Sequence, residues 1–420
     1  MSSPSWRDLI HVFGRIGLLS FGGPAAQISL MHRELVDTRP WLSEQTYLRA
    51  LSLCMLLPGP EAMQLATYAG WRLRGVAGGL LAGALFVLPG AAVIAALMVV
   101  YVIWGQVPVV QAAFLGIKAA VIAIVLAALK GLSKRALNGT WDWIIATLSF
   151  VGIFAFGLPF PLILALAALW GFFRSHDAPD TDLPAAAPDW ASNLRTALFW
   201  GTLWLAPLAL LTVAGADTLA HIGWFFAWLA TISFGGAYAL LAYMTQTVVS
   251  DFGWITTQQM IAALGLAETT PGPLILVTQF VAMLAGYGSG GFALAFAAAI
   301  VSLWATFMPC FLFIFVAAPH VERLANAPRL RGALAGITAA VVGVIANLSL
   351  WFALHVFFSA MLASPGMLPA IVVPDVTTFD ATVVLLFALA AIALFWVKRS
   401  LPAVLGLSAI CGILLSLLGL

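Results

Sequence analysis

The sequence predicts an all-α polytopic membrane protein built from two inverted-topology repeats, and three observations lead there. Hydrophobic residues make up 63% of the chain and charged residues only 8%, against about 25% charged in soluble domains. Apolar stretches such as 78–104, 112–129 and 379–397 recur along its length, each near the ~20 residues a helix needs to cross a bilayer. The chain also repeats itself. Ser20-Phe21-Gly22-Gly23 and Pro58-Gly59-Pro60 return at the same spacing as Ser233-Phe234-Gly235-Gly236 and Pro271-Gly272-Pro273, and Trp41 and Gln45 return as Trp254 and Gln258. Duplicated glycines and prolines inside apolar segments are the pattern of a secondary transporter.

The first repeat spans 1–173. Trp6-Arg7-Asp8 leads into its first segment with no small-residue cleavage site, so this segment is read as retained. Phe21-Gly22-Gly23-Pro24 breaks that segment, and Pro58-Gly59-Pro60 breaks the next, because proline removes a backbone donor and clashes with the preceding turn. The arms beside each break are too short to span a bilayer. They therefore form either broken crossing helices or re-entrant hairpins. Arg7, Arg33, Arg39, Arg49, Arg72 and Arg74 flank all four arms. Hairpins would put all these charges on one side, which the positive-inside rule makes cytoplasmic. Four spans follow, near 76–104, 109–130, 141–157 and 160–173, and they return Lys130, Lys134, Arg135 and Arg174 to the same side.

Residues 174–195, with four aspartates and three prolines, read as a cytoplasmic linker. A connecting span at 196–213 carries the chain outward, and the second repeat, 214–420, starts from the opposite face. From 196 through 322 there is no Lys or Arg, while Arg323, Arg329 and Arg331 stand where the first repeat has the uncharged Gly105-Gln106-Val107-Pro108. Like segments with opposite charge placement predict inversion, with the N-terminus cytoplasmic and the C-terminus periplasmic.

Broken helices survive in a bilayer only inside protein or beside a wet cavity, so the four breaks are the candidate substrate site: Phe21, Gly22, Gly23 and Pro24; Pro58, Gly59 and Pro60; Phe234, Gly235 and Gly236; Pro271, Gly272 and Pro273. After each break a new helix is expected, at Pro24, Pro60, Ala237 and Pro273, with unpaired N–H groups and a positive dipole end. Such termini suit an anion, above all a tetrahedral oxyanion with several acceptors. The bland alternative is a set of packing kinks without a ligand.

An intramembrane charge is costly and marks function by default. Lys118, whose repeat partner is Thr338, is assigned to the anion, with carrying the coupling proton as the other functional reading; the structural alternative pairs it with Glu61 or Glu268. Glu61, Glu268 and Arg15 are assigned to proton coupling or charge compensation, since an ionised carboxylate repels an anion. Gln64 and Thr270 join the substrate set as neutral donors, and Gln27, Thr269, Gln279 and Asn347 are either further donors or interhelical contacts. Cys54, Cys310 and Cys411 have no metal or disulfide spacing and read as small buried hydrophobes. His32 and His355 have no implied partners. Neither a phosphate-cradling loop nor a zinc or nucleophile motif is present in the sequence, so no cofactor, no metal and no nucleic-acid partner are expected, and the chain is not read as an enzyme.

Phe21-Gly22-Gly23-Pro24, His32-Arg33-Glu34, Leu57-Pro58-Gly59-Pro60, Phe234-Gly235-Gly236-Ala237-Tyr238 and Thr270-Pro271-Gly272-Pro273 together resemble the two-domain members of the chromate ion transporter family. The resemblance covers both halves. It implies efflux of chromate across the bacterial inner membrane, driven by the membrane potential or proton gradient, and chromate resistance. Partners would be chromate or a similar oxyanion, membrane lipid and a second copy in a homodimer. Two other readings are a general sulfate or molybdate carrier and a membrane-embedded lipid-phosphate enzyme, though breaks built of Gly and Pro lack the side chains such an enzyme would need.

Overall fold

A computed structural model describes residues 4–21, 23–174, 190–234, 237–321, 327–363 and 372–418. The order of helices follows the two repeats. In the first, α1 (Trp6–Leu19) ends at the Ser20-Phe21 break, α2 (Gly23–His32) runs through a π-helical turn (Arg33–Thr38), α3 (Glu44–Leu56) ends at the Pro-Gly-Pro break, and α4 (Glu61–Trp104), α5 (Pro108–Ala136), α6 (Thr140–Phe156) and α7 (Phe160–Arg174) follow. After α8 (Trp190–Val213) the same order returns. It comprises α9 (Asp217–Thr231), α10 (Ala237–Gln246), a π-helical turn (Thr247–Asp251), α11 (Thr257–Thr269), a 3₁₀ turn (Leu274–Leu276) and α12 (Val277–Ala317), then α13 (Pro328–Phe357), α14 (Ala381–Ala391) and α15 (Leu401–Leu417). A short antiparallel pair, β1 (Met361–Ala363) with β2 (Val372–Pro374), is inserted between α13 and α14.

This is an all-α membrane protein. Among the described residues, five helical stretches are long and apolar enough to cross a bilayer: Glu61–Trp104, Pro108–Ala136, Ala191–Val213, Leu274–His320 and Pro328–Phe357. Thr140–Phe156, Phe160–Arg174, Ala381–Trp396 and Leu401–Leu417 are apolar but shorter. At 1.5 Å per residue they reach about 25 Å, just under the ~30 Å hydrocarbon core. Of the linker read at 174–195, residues 175–189 lie outside the described residues, while 190–195 belong to α8, so the connecting helix begins before the expected 196.

The chain divides into two compact units, each drawing segments from both repeats. The first comprises Met1–Met98, Asp177–Leu240 and Thr270–Arg331; the second comprises Val99–His176, Leu241–Thr269 and Gly332–Leu420.

In the first unit, α1 starts with a reciprocal cap: Asp8 N donates to Ser5 Oγ at 3.2 Å, and Ser5 N donates to the Asp8 carboxylate at 3.2 Å. Helices α2 and α3 form a hairpin, with Tyr47 Oη donating to Ile28 O at 2.6 Å and His32 facing Glu44. Helix α4 reverses at Arg74-Gly75, where Gly75 takes φ 64°, ψ −159°, a conformation open essentially to glycine alone. The two arms then lie so close that a Cβ on Gly70 would sit 2.2 Å from Gly78 O. Helix α12 reverses in the same way at Gly290-Gly291, with Gly291 at φ 70°, ψ −162°.

The start of α1, the tip of the α2–α3 hairpin and the α4 reversal meet at one end of this unit. Arg74 Nε donates to Pro4 O at 2.8 Å and its guanidinium lies over the Trp6 ring, while Arg7, His11, Arg39 and Trp41 line one shared cavity. Three of the arginines used to argue for hairpins thus gather at a common end.

In the second unit, helices cross at small residues, which let backbones approach where hydrocarbon supplies no hydrophobic drive. A Cβ on Gly116 of α5 would meet Ser408 O of α15 at 1.8 Å, and one on Gly336 of α13 would meet Ala167 O of α7 at 2.2 Å. Gly116 and Gly336 are repeat counterparts, so each repeat's long helix packs on the other repeat's last helix.

Candidate functional site

The breaks in the first unit are built alike down to single hydrogen bonds. Phe21 N donates to Leu19 O and Phe234 N to Ile232 O, both at 2.9 Å. The breaks then exchange partners between repeats. Gly59 N donates to Ser233 O at 2.8 Å, and Gly272 N donates to Ser20 O at 2.9 Å. Gln27 Nε2 spans the second junction, donating to Gly272 O at 2.7 Å and to Ser20 O at 3.2 Å. Its counterpart, Leu240, is apolar, so only one of the two junctions has such a clamp.

New helices begin at Gly23, Glu61 and Ala237, close to the expected positions; after Pro273 a 3₁₀ turn intervenes, with Leu276 N donating to Pro273 O, before α12 starts at Val277. The amides of Gly59 and Gly272 are consumed by the exchange, so the free donors expected at both Pro-Gly-Pro turns are fewer than the sequence implied. The glycines also differ. Gly59 (φ 117°) is walled in, its Cβ position 2.9 Å from Gln64 Nε2 and 3.1 Å from Cys310 Sγ, whereas nothing lies within 4 Å of a Cβ at Gly23 (φ 80°). Close approach by a ligand is open at Gly23 and closed at Gly59.

Buried polar atoms without a hydrogen-bond partner stand beside both turns. Among the described residues they are Gln64 Oε1, Gln279 Oε1 and Thr306 Oγ1. Gln64 donates to Pro58 O at 2.6 Å and touches the Gly59 position; Thr306 lies one turn before Cys310, which touches it too. Gln279 Nε2 donates to Ala91 O at 3.0 Å, next to Gly90, whose Cβ position is 2.1 Å from Pro271 O. An unmade buried hydrogen bond costs roughly 1–3 kcal/mol, so these three atoms are the candidate polar contacts at the breaks.

The other sequence-assigned residues are distributed more widely. Pro24 is in the first turn of α2, Glu61 opens α4, and Thr270 is buried at the second Pro-Gly-Pro turn. Gly22, Gly235 and Gly236 lie outside the described residues. Glu268 is buried near the end of α11, in the second unit. Arg15 is not held at a break: its side chain is 50% exposed and pairs with Glu34 Oε1 at 3.7 Å, while Arg39 holds Oε2. Lys118 also belongs to the second unit, where Nζ donates to Gln258 Oε1 at 2.6 Å. It makes no ion pair with a carboxylate among the described residues, so Glu268, which lies in the same unit, is not its partner.

Sequence reasoning missed the buried Glu34 between two arginines, and it missed the partners of His32. That ring sits 2.7 Å from Glu44 Oε2 and 3.3 Å from Asp37 Oδ2. It gave no partner for His355 either, whose Nδ1 is 2.9 Å from Trp351 O beside a cavity shared with Asn347 and Tyr243. None of these pairings repeats between halves, so the duplication that exposed the breaks gave no signal for them.

The chain matches the family described as Chromate transporter over residues 7–172 and 220–413. It is 33% identical to a probable chromate transport protein of Synechococcus elongatus over 82% of this chain and 83% of that one. It is 32% identical to a chromate transport protein of Cupriavidus metallidurans, over 81% and 80% of the two chains. A chromate transport protein of Pseudomonas aeruginosa is 33% identical over 81% of this chain and 79% of its own length. No solved structure matches. With both repeats matched and similarity this extensive, the chain belongs to the chromate transporter family.

Proposed function

We propose that this chain exports chromate across the bacterial inner membrane as a secondary transporter, using four paired helix breaks as the substrate site, and so confers chromate resistance. The observation that carries the reading is the reciprocal bonding of the breaks, Gly59 to Ser233 and Gly272 to Ser20. It ties the interrupted backbone of one repeat to that of the other, so a rocking of one repeat must remake both junctions. Inverted repeats moving about a shared site are the general basis of alternating access.

In this reading α1–α2, α3 and the first arm of α4 are re-entrant, with their basic ends on the cytoplasmic side. The gathering of Arg7, Arg39 and Arg74 at one end supports that arrangement. Backbone amides at the start of α2, beside the open Gly23, draw the anion; the orphaned amide oxygens of Gln64 and Gln279 and the Thr306 hydroxyl bond its hydration water or a travelling proton. Glu61 and Glu268 act as charge compensators. An inside-negative potential favours expulsion of a dianion by roughly 2.3 kcal/mol per charge per 100 mV.

The test is uptake of labelled chromate into inverted membrane vesicles under an imposed potential, with excess sulfate as competitor. Potential-driven, sulfate-resistant uptake supports the exporter. Uptake abolished by sulfate makes the chain a general oxyanion carrier, and the absence of chromate uptake overturns the proposal.

A further inference from the structure

A cavity of about 490 Å³ lies in the second unit, lined by Tyr101, Gln106, Gln111, Lys118, Thr382 and Ser416 together with apolar residues of α5, α11 and α15. We propose that this cavity is a second oxyanion site, separate from the helix breaks, in which Lys118 binds a sulfate-like anion drawn from the aqueous phase. The inference goes beyond the transport reading and stands on Lys118 and its surroundings alone.

Three observations support it. First, among the described residues no Asp or Glu lines the cavity and the ammonium makes no ion pair. A cation within an apolar helix and without a protein counter-charge needs one from elsewhere. Second, the ammonium carries three donors, and the structure assigns one of them, to Gln258 Oε1. Gln258 also fixes where the charge points, since it reaches Lys118 from α11. Third, the remaining polar lining is made of neutral amides and hydroxyls, with Gln111 Nε2 held to Gln106 Oε1 at 3.2 Å. Such groups turn to donate to an anion without competing for the cation. At about 490 Å³ the cavity holds many times the ~30 Å³ share of one water, so an ion can enter with part of its hydration shell. The second repeat has Thr338 in place of Lys118, so the charge is a feature of one half only.

The test places a reporter thiol in the cavity with Gln111→Cys in the full-length chain, reconstituted in zwitterionic lipid; labelling of the parent chain is subtracted as background. Anionic and cationic methanethiosulfonates are compared for rate. The expected result is a preference for the anionic reagent that falls about tenfold on adding Lys118→Met and returns with Lys118→Arg. Millimolar sulfate should slow labelling in the Lys and Arg forms and leave the Met form unchanged. An unchanged reagent preference in Lys118→Met, or no sulfate protection in a monodisperse Lys118→Arg protein, overturns the site. Protection by added phosphatidic acid but not by sulfate also overturns it, because a lipid headgroup would then be the ligand. Labelling needs no transport, so a failed chromate flux leaves this result readable.

Discussion

Gly59 N donates to Ser233 O at 2.8 Å, so the first repeat's Pro-Gly-Pro turn is bonded to the second repeat's break, and Gly272 N repays the contact to Ser20 O at 2.9 Å. The bond at Gly59 requires φ 117° and a site with no side chain, because a Cβ there meets Gln64 Nε2 at 2.9 Å and Cys310 Sγ at 3.1 Å. Gly23 also has positive φ, 80°, but open space beside it.

Gly23→Ala should therefore cost only backbone strain, about 1–2 kcal/mol, while Gly59→Ala adds a steric term and disturbs the Ser233 bond. Thermal unfolding of the detergent-solubilised variants, followed by size-exclusion fluorescence, should show the larger drop for Gly59→Ala. Equal drops would mean that the packing around Gly59 yields easily.

The Gln27 clamp makes a second prediction. Gln27→Leu installs the residue found at the equivalent Leu240 and leaves Gly272 O without its donor. The loss of one buried hydrogen bond costs about 1–3 kcal/mol. Chromate flux should fall severalfold, and Gln27→Glu should not rescue it, because a carboxylate cannot donate. Wild-type flux in Gln27→Leu would remove this junction from the transport cycle.

Much of this was legible in the sequence because it is written twice. The breaks and the arm lengths follow from glycines and prolines, which act on their own backbone and so leave a local mark. The reciprocal bonding left none. Ser20 and Gly272 are joined through a carbonyl and an amide that every residue carries, and only the fold brings them together. The same is true of Lys118. Its isolation in an apolar helix marked it as functional, but its partner Gln258 lies on a distant helix. Arg15, assigned to coupling or charge compensation, lies beside Glu34, whose burial no local pattern announces.

Glu34 leads to a third prediction. Its side chain is only 6% exposed and both oxygens are held, by Arg39 and Arg15. Removing Arg39 leaves a buried carboxylate with one partner that is itself half exposed, whereas removing the carboxylate leaves cations able to reach water. Arg39→Met should thus destabilise more than Glu34→Gln, by at least about 1 kcal/mol within the ~3–5 kcal/mol seen for broken buried pairs. Melting temperatures of the two variants decide the order. The reverse order would show that Glu34 matters for its shape and not its charge.

The α2–α3 hairpin should respond to pH through His32. The hydrogen bond to Glu44 raises its pKa above the usual 6.5, partial burial opposes the rise, and the charges of Glu44 and Asp37 add to it. Because the folded value lies above the unfolded one, the stabilisation is fully present below about pH 6.5 and is lost as pH climbs through the raised value. His11 lines the cavity at the same end of this unit, so variants at His32 and Glu44 are what separate the contribution of this bond from that of a second imidazole. Thermal melting at pH 5.5 and pH 8 should therefore show a drop in the wild type that shrinks in His32→Gln and in Glu44→Gln, since each variant removes one half of the same bond. A pH dependence that persists unchanged in both would assign it to another group and leave His32 as a neutral edge against Tyr47, whose ring it meets at 5.1 Å.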